Sequence, residues 1–235
     1  METNAEISDD VLIQQTFSES DFRQLVHDSM KPTYRSHDAH NEIHLPVLNQ
    51  TPALSFTTVL IGDSMIERLQ TTGSSTRIAQ LPSSFNAGVG GDRIENVLYR
   101  LDLGLFTSLK NRGIKLWVLM IGTNHIAQKK GLKKKELDAY KVLVQALLRI
   151  APQSRILACG LFQRRDVDDG NMERANLTLK EVVGEINKQL GGEKVFWVDA
   201  PGGVKGHLVD HVHLNEEGYR IWDEVLYPTI MGLSS

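Results

Sequence analysis

The stretch Thr58-Val59-Leu60-Ile61-Gly62-Asp63-Ser64 decides the fold. It is an unbroken apolar run of strand length that ends in glycine, an acid and a small hydroxyl. Alternating polar residues would mark a strand with one wet face. A continuous run is what a parallel strand needs when helices cover both faces of its sheet. The run turns at its end into a helical start, Met65-Ile66-Glu67. Similar runs recur further along the chain. Residues 116–122 (LWVLMIG) form the clearest, 155–162 (RILACGLF) and 195–199 (VFWVD) follow, and 84–87 is a short, poor one.

Helical patterns fill the gaps. Leu137, Tyr140, Val144, Leu147 and Leu148 fall at helical spacing within 133–150, closed by Pro152. Leu177, Val182, Val183, Ile186 and Leu190 do the same before Gly191-Gly192. A helix is expected over 92–106. Asn215 is a good N-cap for a helix over 216–230, whose first turn holds two glutamates. Strands alternating with helices predict βαβ units and a doubly wound, three-layer α/β/α sandwich. Residues 1–55 read differently. Phe17, Phe22, Leu25 and Val26 suggest one helix with Ser20 as a cap, and 31–50 holds three histidines, two prolines and little periodicity. That segment is expected to be an arm lying on a core domain of residues 56–235.

Composition narrows the class. At 235 residues, 41% hydrophobic and 23% charged, the chain has the makings of one soluble globular domain. A net charge of −3 gives no general attraction to nucleic acid. The lysines at 129–130 and 133–135 read as a solvated helix start. The first ten residues are acidic and polar, with neither the basic nor the apolar region of a secretory signal. No apolar run approaches the ~20 residues that span a bilayer. The single cysteine, Cys159, lies in an apolar run and reads as a buried small hydrophobe. Together these features point to a reducing, cytoplasmic setting.

Four separated segments carry chemistry. Ser64 stands where the first strand turns into a helix, at the carboxyl edge where open α/β sheets bind ligands. Free N–H groups at that turn favour a developing anion; the bland reading of Ser64 is an N-cap. Gly88, Gly90 and Gly91 sit on a loop leading into the next helix. A dinucleotide loop would need glycine where Arg93 stands, so the better reading is bare backbone approaching a reacting carbonyl. Asn124 follows the third strand, where a side-chain amide could donate to the same oxyanion. Asp210 and His213, three apart, can share a face, with the carboxylate orienting Nδ1–H and Nε2 facing a serine. His207, His211 and His213 as a metal cluster would be the rival, but their spacing is not a standard zinc pattern.

With these residues in place, the chain resembles the SGNH, or GDSL, hydrolases over roughly residues 57–219. Ile61-Gly62-Asp63-Ser64-Met65, the run 86–92, Leu98-Tyr99-Arg100-Leu101, Ile121-Gly122-Thr123-Asn124 and Asp210-His211-Val212-His213-Leu214 look most like the platelet-activating-factor-acetylhydrolase branch. The resemblance implies a flavodoxin-like, five-stranded parallel sheet of order 2-1-3-4-5, no cofactor and no metal. It implies Ser64 as nucleophile, His213 as base and Asp210 as its orienting acid. Its oxyanion donors would be the backbone N–H of Ser64 and Gly91 and the amide of Asn124. Met65, Asp92, His125 and Phe162 are the candidate substrate contacts. The implied reaction is hydrolysis of a small-molecule or lipid ester with a short, acetyl acyl group; a lysophospholipase, a carbohydrate deacetylase or a catalytically silent binding protein of the same fold is the alternative, and the resemblance is compatible with a homodimer. Two departures stand out, the first from the family motif and shared with that branch, the second from the branch itself. Met65 replaces the leucine of the eponymous motif. After the fourth strand, Phe162-Gln163-Arg164-Arg165-Asp166 stands where Leu-Pro-Arg is usual, a loop expected to shape the substrate pocket.

Overall fold

The computed structural model describes residues 18–50, 54–128 and 130–234. The expected N-terminal stretch, Phe17 and Lys129 lie outside them. Helix α1 spans Glu19–Ser29, α2 Tyr34–Asp38 and α3 Leu45–Leu48, the last two joined by a wide π-type turn, Ala39–His44. Then come β1 (Thr58–Gly62), α4 (Ser64–Glu67), β2 (Ser84–Gly88), α5 (Ile94–Arg100) and α6 (Phe106–Leu109). The chain continues through β3 (Leu116–Met120), α7 (Lys134–Ile150), β4 (Arg155–Cys159), α8 (Asp169–Leu190), β5 (Val195–Val198) and α9 (Glu216–Ser234).

The strands form one parallel sheet of order β2-β1-β3-β4-β5. Every residue of β1 and β3 is buried, as an unbroken apolar run demands. In register, Gly62 faces Gly88 on one side and Met120 on the other. The chain therefore leaves β2, β1 and β3 at the same level of the sheet's carboxyl edge. The order reverses between β1 and β3, the place where such sheets bind ligands.

Several local readings shift. Ser18, not Ser20, caps α1 and accepts the Asp21 N–H. The expected helix over 92–106 begins two residues later, with Asn96 accepting the Arg93 N–H. Gly104, at φ +137°, breaks it before α6. Leu177 is 58% exposed and Leu179 takes its place on the buried face of α8. Residues 31–50, which show little periodicity, are largely helical. Phe22, Leu25, Val26 and Leu48 join the common core. Cys159 is buried, and burial pushes its thiol pKa up. Among the described residues no helix is long and apolar enough to cross a membrane.

Candidate active site

Asp63, rather than Ser64, takes the capping role at the end of β1: its Oδ1 accepts the Met65 N–H at 3.0 Å. That leaves the Ser64 hydroxyl uncommitted to its own helix. It lies 3.0 Å from His213 Nε2. His213 Nδ1 lies 2.7 Å from Asp210 Oδ2, while Asp210 Oδ1 accepts the backbone N–H groups of Val212 and His213 at 2.8 and 2.7 Å. Burial would raise the Asp210 pKa. These N–H bonds and the imidazole outweigh it and hold the carboxyl well below the usual carboxylate range. Asp210 is thus an ionised acceptor at ordinary pH. Nδ1 of His213 then carries the proton, and Nε2 is free to accept from Ser64.

The loop carrying this pair crosses from β5 back toward β1, and it closes on itself to do so. Leu208 and Leu214 form an antiparallel bridge; Val209 N–H donates to the His213 carbonyl at 2.8 Å and Asn215 N–H to the His207 carbonyl at 2.7 Å. Asn215 also caps α9, its side chain accepting the Gly218 N–H. Tyr219, fully buried on α9, donates its hydroxyl to the Met65 carbonyl at 2.9 Å and so ties α9 to the Ser64 turn. His207 and His211 do not join His213 around a shared point: His211 is exposed, 4.0 Å from Asp166.

Gly91 follows β2 at φ +82°, a conformation that favours glycine. Among the described residues nothing lies within 4 Å of where a side chain would stand. Asn124 sits in a short turn, Thr123–His125, after β3. Its Nδ2 donates one hydrogen to the Asp92 carbonyl at 2.8 Å. A primary amide has a second hydrogen.

The four residues expected to touch substrate are all interior. Met65 and Phe162 are 1% and 2% exposed, and Phe162 packs edge-on against Trp222. His125 Nε2 accepts the Ile94 N–H at 3.2 Å and holds the start of α5. It also lies 3.2 Å from Glu95, but a nitrogen that accepts one N–H cannot donate to that carboxylate at the same time. Asp92 pairs in the core with Arg100, both at or below 2% exposed. Burial raises the Asp92 pKa, and Arg100 opposes the rise. Asp63 is wholly buried with Oδ2 unpartnered among the described residues; burial drives its pKa up to about 7 against the pull of the Met65 N–H.

The loop after β4 braces its neighbours. Arg164 is buried, donates to the Thr123 carbonyl at 2.8 Å and is pinned by Asp166 at 2.9 and 2.6 Å. Arg165 donates to the carbonyls of Leu208 and Asp210 at 2.9 and 3.1 Å, and its own N–H reaches the His211 carbonyl. Two adjacent arginines thus brace the Asn124 turn and the His213 loop. Their only signal in the sequence is a charged cluster directly after a strand, which ordinarily marks a solvated loop.

A serine, an imidazole and a carboxylate in a hydrogen-bonded chain, at the carboxyl edge of a doubly wound sheet, define the serine hydrolase class. Residues 60–221 match the GDSL-like lipase/acylhydrolase family, and the chain belongs to that family of carboxylic ester hydrolases. It is 27% identical to the human platelet-activating factor acetylhydrolase IB subunit alpha2 over 199 residues, 83% of this chain and 82% of that one. A Streptococcus pneumoniae structure described in connection with platelet activating factor superposes with a TM-score of 0.65 at 18% identity, covering 91% of this chain and all of the other. A carbohydrate esterase of family 3 from Talaromyces cellulolyticus superposes at 0.56, with 16% identity over 76% of this chain and 98% of that one.

Proposed function

We propose that this chain hydrolyses a short-chain, acetyl carboxylic ester through an acyl-enzyme, with Ser64 as nucleophile, His213 as base and Asp210 as orienting acid. The observation that carries this reading is the continuous chain from Ser64 Oγ through His213 to Asp210, at 3.0 and 2.7 Å. Ser64 Oγ attacks the ester carbonyl carbon as its proton passes to His213 Nε2. The resulting oxyanion is received by the Ser64 and Gly91 N–H groups and the second Asn124 amide hydrogen. Collapse breaks the ester C–O bond, and His213 returns the proton to the leaving alcohol. A water, deprotonated by His213, then attacks the acyl-serine; the bond to Oγ breaks, His213 returns the proton to Ser64, and the acid is released. Asp210 stays charged throughout and stabilises the imidazolium.

Similarity to an acetylhydrolase subunit supports the acetyl preference; similarity to a carbohydrate esterase makes acetylated sugars the second substrate class to try. The lone, buried cysteine supports a reducing, cytoplasmic setting, and the acetylhydrolase likeness supports a homodimer. The test pairs p-nitrophenyl acetate turnover with fluorophosphonate labelling mapped by peptide mass. We expect turnover, and label on Ser64 that disappears in Ser64→Ala while the melting temperature stays close to wild type. Absence of both, or label that persists in Ser64→Ala, would overturn the assignment.

A further inference from the structure

Asp92 is anchored from three directions, and one of them lies outside the family-matched region. Its Oδ2 accepts a hydrogen bond from Arg100 Nε at 2.9 Å, and the Arg100 Nη2 lies 2.8 Å away as the other half of the ion pair. Its main-chain carbonyl takes the Asn124 amide. Its Oδ1 takes the hydroxyl of Ser36, at 2.5 Å, from the start of α2. Ser36 is fully buried. Its hydroxyl also lies 2.5 Å from Thr33 Oγ1, the cap of α2, which accepts the Ser36 N–H at 3.2 Å. Since Ser36 spends its proton on Asp92, Thr33 is the donor to Ser36. The polar chain therefore runs Thr33, Ser36, Asp92, Asn124. Next to it, Arg35 pairs with Glu67 at 3.0 Å. A Cβ added to Gly90 would lie 2.8 Å from Arg35 Nη2 and 2.7 Å from Glu67 Oε2. The 33–36 turn thus lies directly against the glycine loop.

We infer that Ser36 is a positioning residue for the oxyanion donors, acting on the Asn124 amide through Asp92. This rests on the serine-esterase reading proposed above. The physical argument is directional. An amide group is planar, so fixing one N–H fixes the heading of the other. The heading of the Asn124 amide is set by the Asp92 carbonyl. That peptide is held at its far end by Asn96, which accepts the Arg93 N–H at 2.8 Å, and at its near end by what grips the Asp92 side chain. Arg100 holds one carboxylate oxygen and Ser36 the other. Without Ser36 the carboxylate can turn about its Arg100 contact, and the Asn124 donor loses its fixed reference. Misplacing a catalytic donor by a fraction of an ångström slows the chemical step more than it weakens binding.

The experiment is a kinetic cycle on p-nitrophenyl acetate with wild type, Ser36→Ala, Asn124→Ala and the double variant, each assayed well below its own melting temperature. Ser36→Ala is expected to lower kcat about tenfold with little change in KM, and to slow fluorophosphonate labelling of Ser64 in parallel. In the Asn124→Ala background the same change should alter kcat by less than about twofold, because the group it positions is already gone. A purely structural Ser36 would lower the melting temperature and leave kcat of the folded sample unchanged, which would overturn the inference. So would an undiminished tenfold loss in the Asn124→Ala background. Should Ser36→Ala not purify folded, Ser36→Cys fills the same space with a poor donor and carries the same comparison. Failure of the two ideas is separable. Wild type that neither turns over nor labels at Ser64 removes the esterase reading, and this inference with it. Wild type that labels at Ser64 no faster than Ser36→Ala removes this inference alone.

Discussion

Ser64 and His213 meet at 3.0 Å but stand on supports of opposite kind. Ser64 follows β1, a central strand buried along its whole length and flanked by β2 and β3. The residue before it is fully buried and the one after it 1% exposed. His213 and Asp210, with side chains 21% and 40% exposed, ride on a loop beyond the last strand of the sheet. That loop is held by its own backbone bonds and by Arg165. The Ser64 hydroxyl is therefore placed by the core, and the His213 imidazole by local hydrogen bonds. Disturbing the first half should cost stability and rate together. Disturbing the second should cost rate far more than stability.

Asp210→Asn is the strongest way to break that contrast. The amide oxygen can still accept the backbone N–H groups of 212 and 213, so the loop should keep its shape. The imidazole, however, loses the acceptor that fixes its tautomer. We expect kcat to fall by about 10⁴ while thermal melting stays near wild type. A melting temperature that collapses with the activity would show that the loop belongs to the core after all.

Two arginine substitutions sharpen the comparison at intermediate size. Arg165→Ala removes exposed contacts to the Leu208 and Asp210 carbonyls. A charge-assisted bond contributes at most about 1.5–3 kcal/mol, so kcat should drop about tenfold, with little change in melting. Arg164→Ala removes a buried group and orphans the Thr123 carbonyl. It should lower both kcat and melting temperature. Kinetics and melting on the same preparations check the pair, and equal thermal loss from both would erase the distinction between the halves.

The smallest effect concerns acid. Neither ring nitrogen of His40, nor Nδ1 of His44, has a hydrogen-bond partner among the described residues. Burial first, and then the Arg100 charge, lower their pKa values to about 4 and about 3. Both histidines are neutral when folded but titrate near 6.5 when unfolded. Their contribution to stability is complete above about pH 6.5 and is lost as pH falls toward 4 and then 3. Because they lie beside Arg100, the anchor of Asp92, acid should loosen the Ser64 half first. Melting temperature should decline between pH 7 and 4.5, and His44→Leu should flatten that slope. A flat wild-type profile would contradict it.

Legibility followed distance along the chain. The apolar runs at 58–62, 116–120 and 155–159 announced buried parallel strands because continuous hydrophobicity has one economical use in a sheet. The Asp210–His213 pair was readable for a similar reason. Three residues of separation already permit the contact, and the backbone N–H groups of 212 and 213 close it locally. The strand order came from family resemblance and not from any pattern in the runs themselves. Residues 31–50 defeated periodicity, because a wide π-type turn between two short helices has no regular repeat.

What the sequence determined by itself was the layered α/β/α class, the strand positions and which side chains are candidates for the chemistry. Composition and short-range spacing encode these. What only the tertiary structure decided was which residues hold that chemistry in place. Ser36 on Asp92 spans 56 residues, Arg164 on the Thr123 carbonyl 41, and Tyr219 on the Met65 carbonyl 154. In two of the three a side chain meets a backbone carbonyl, which any residue could supply. Such a contact leaves no periodicity and no motif, and exists only once the sheet has brought its loop ends to a common edge.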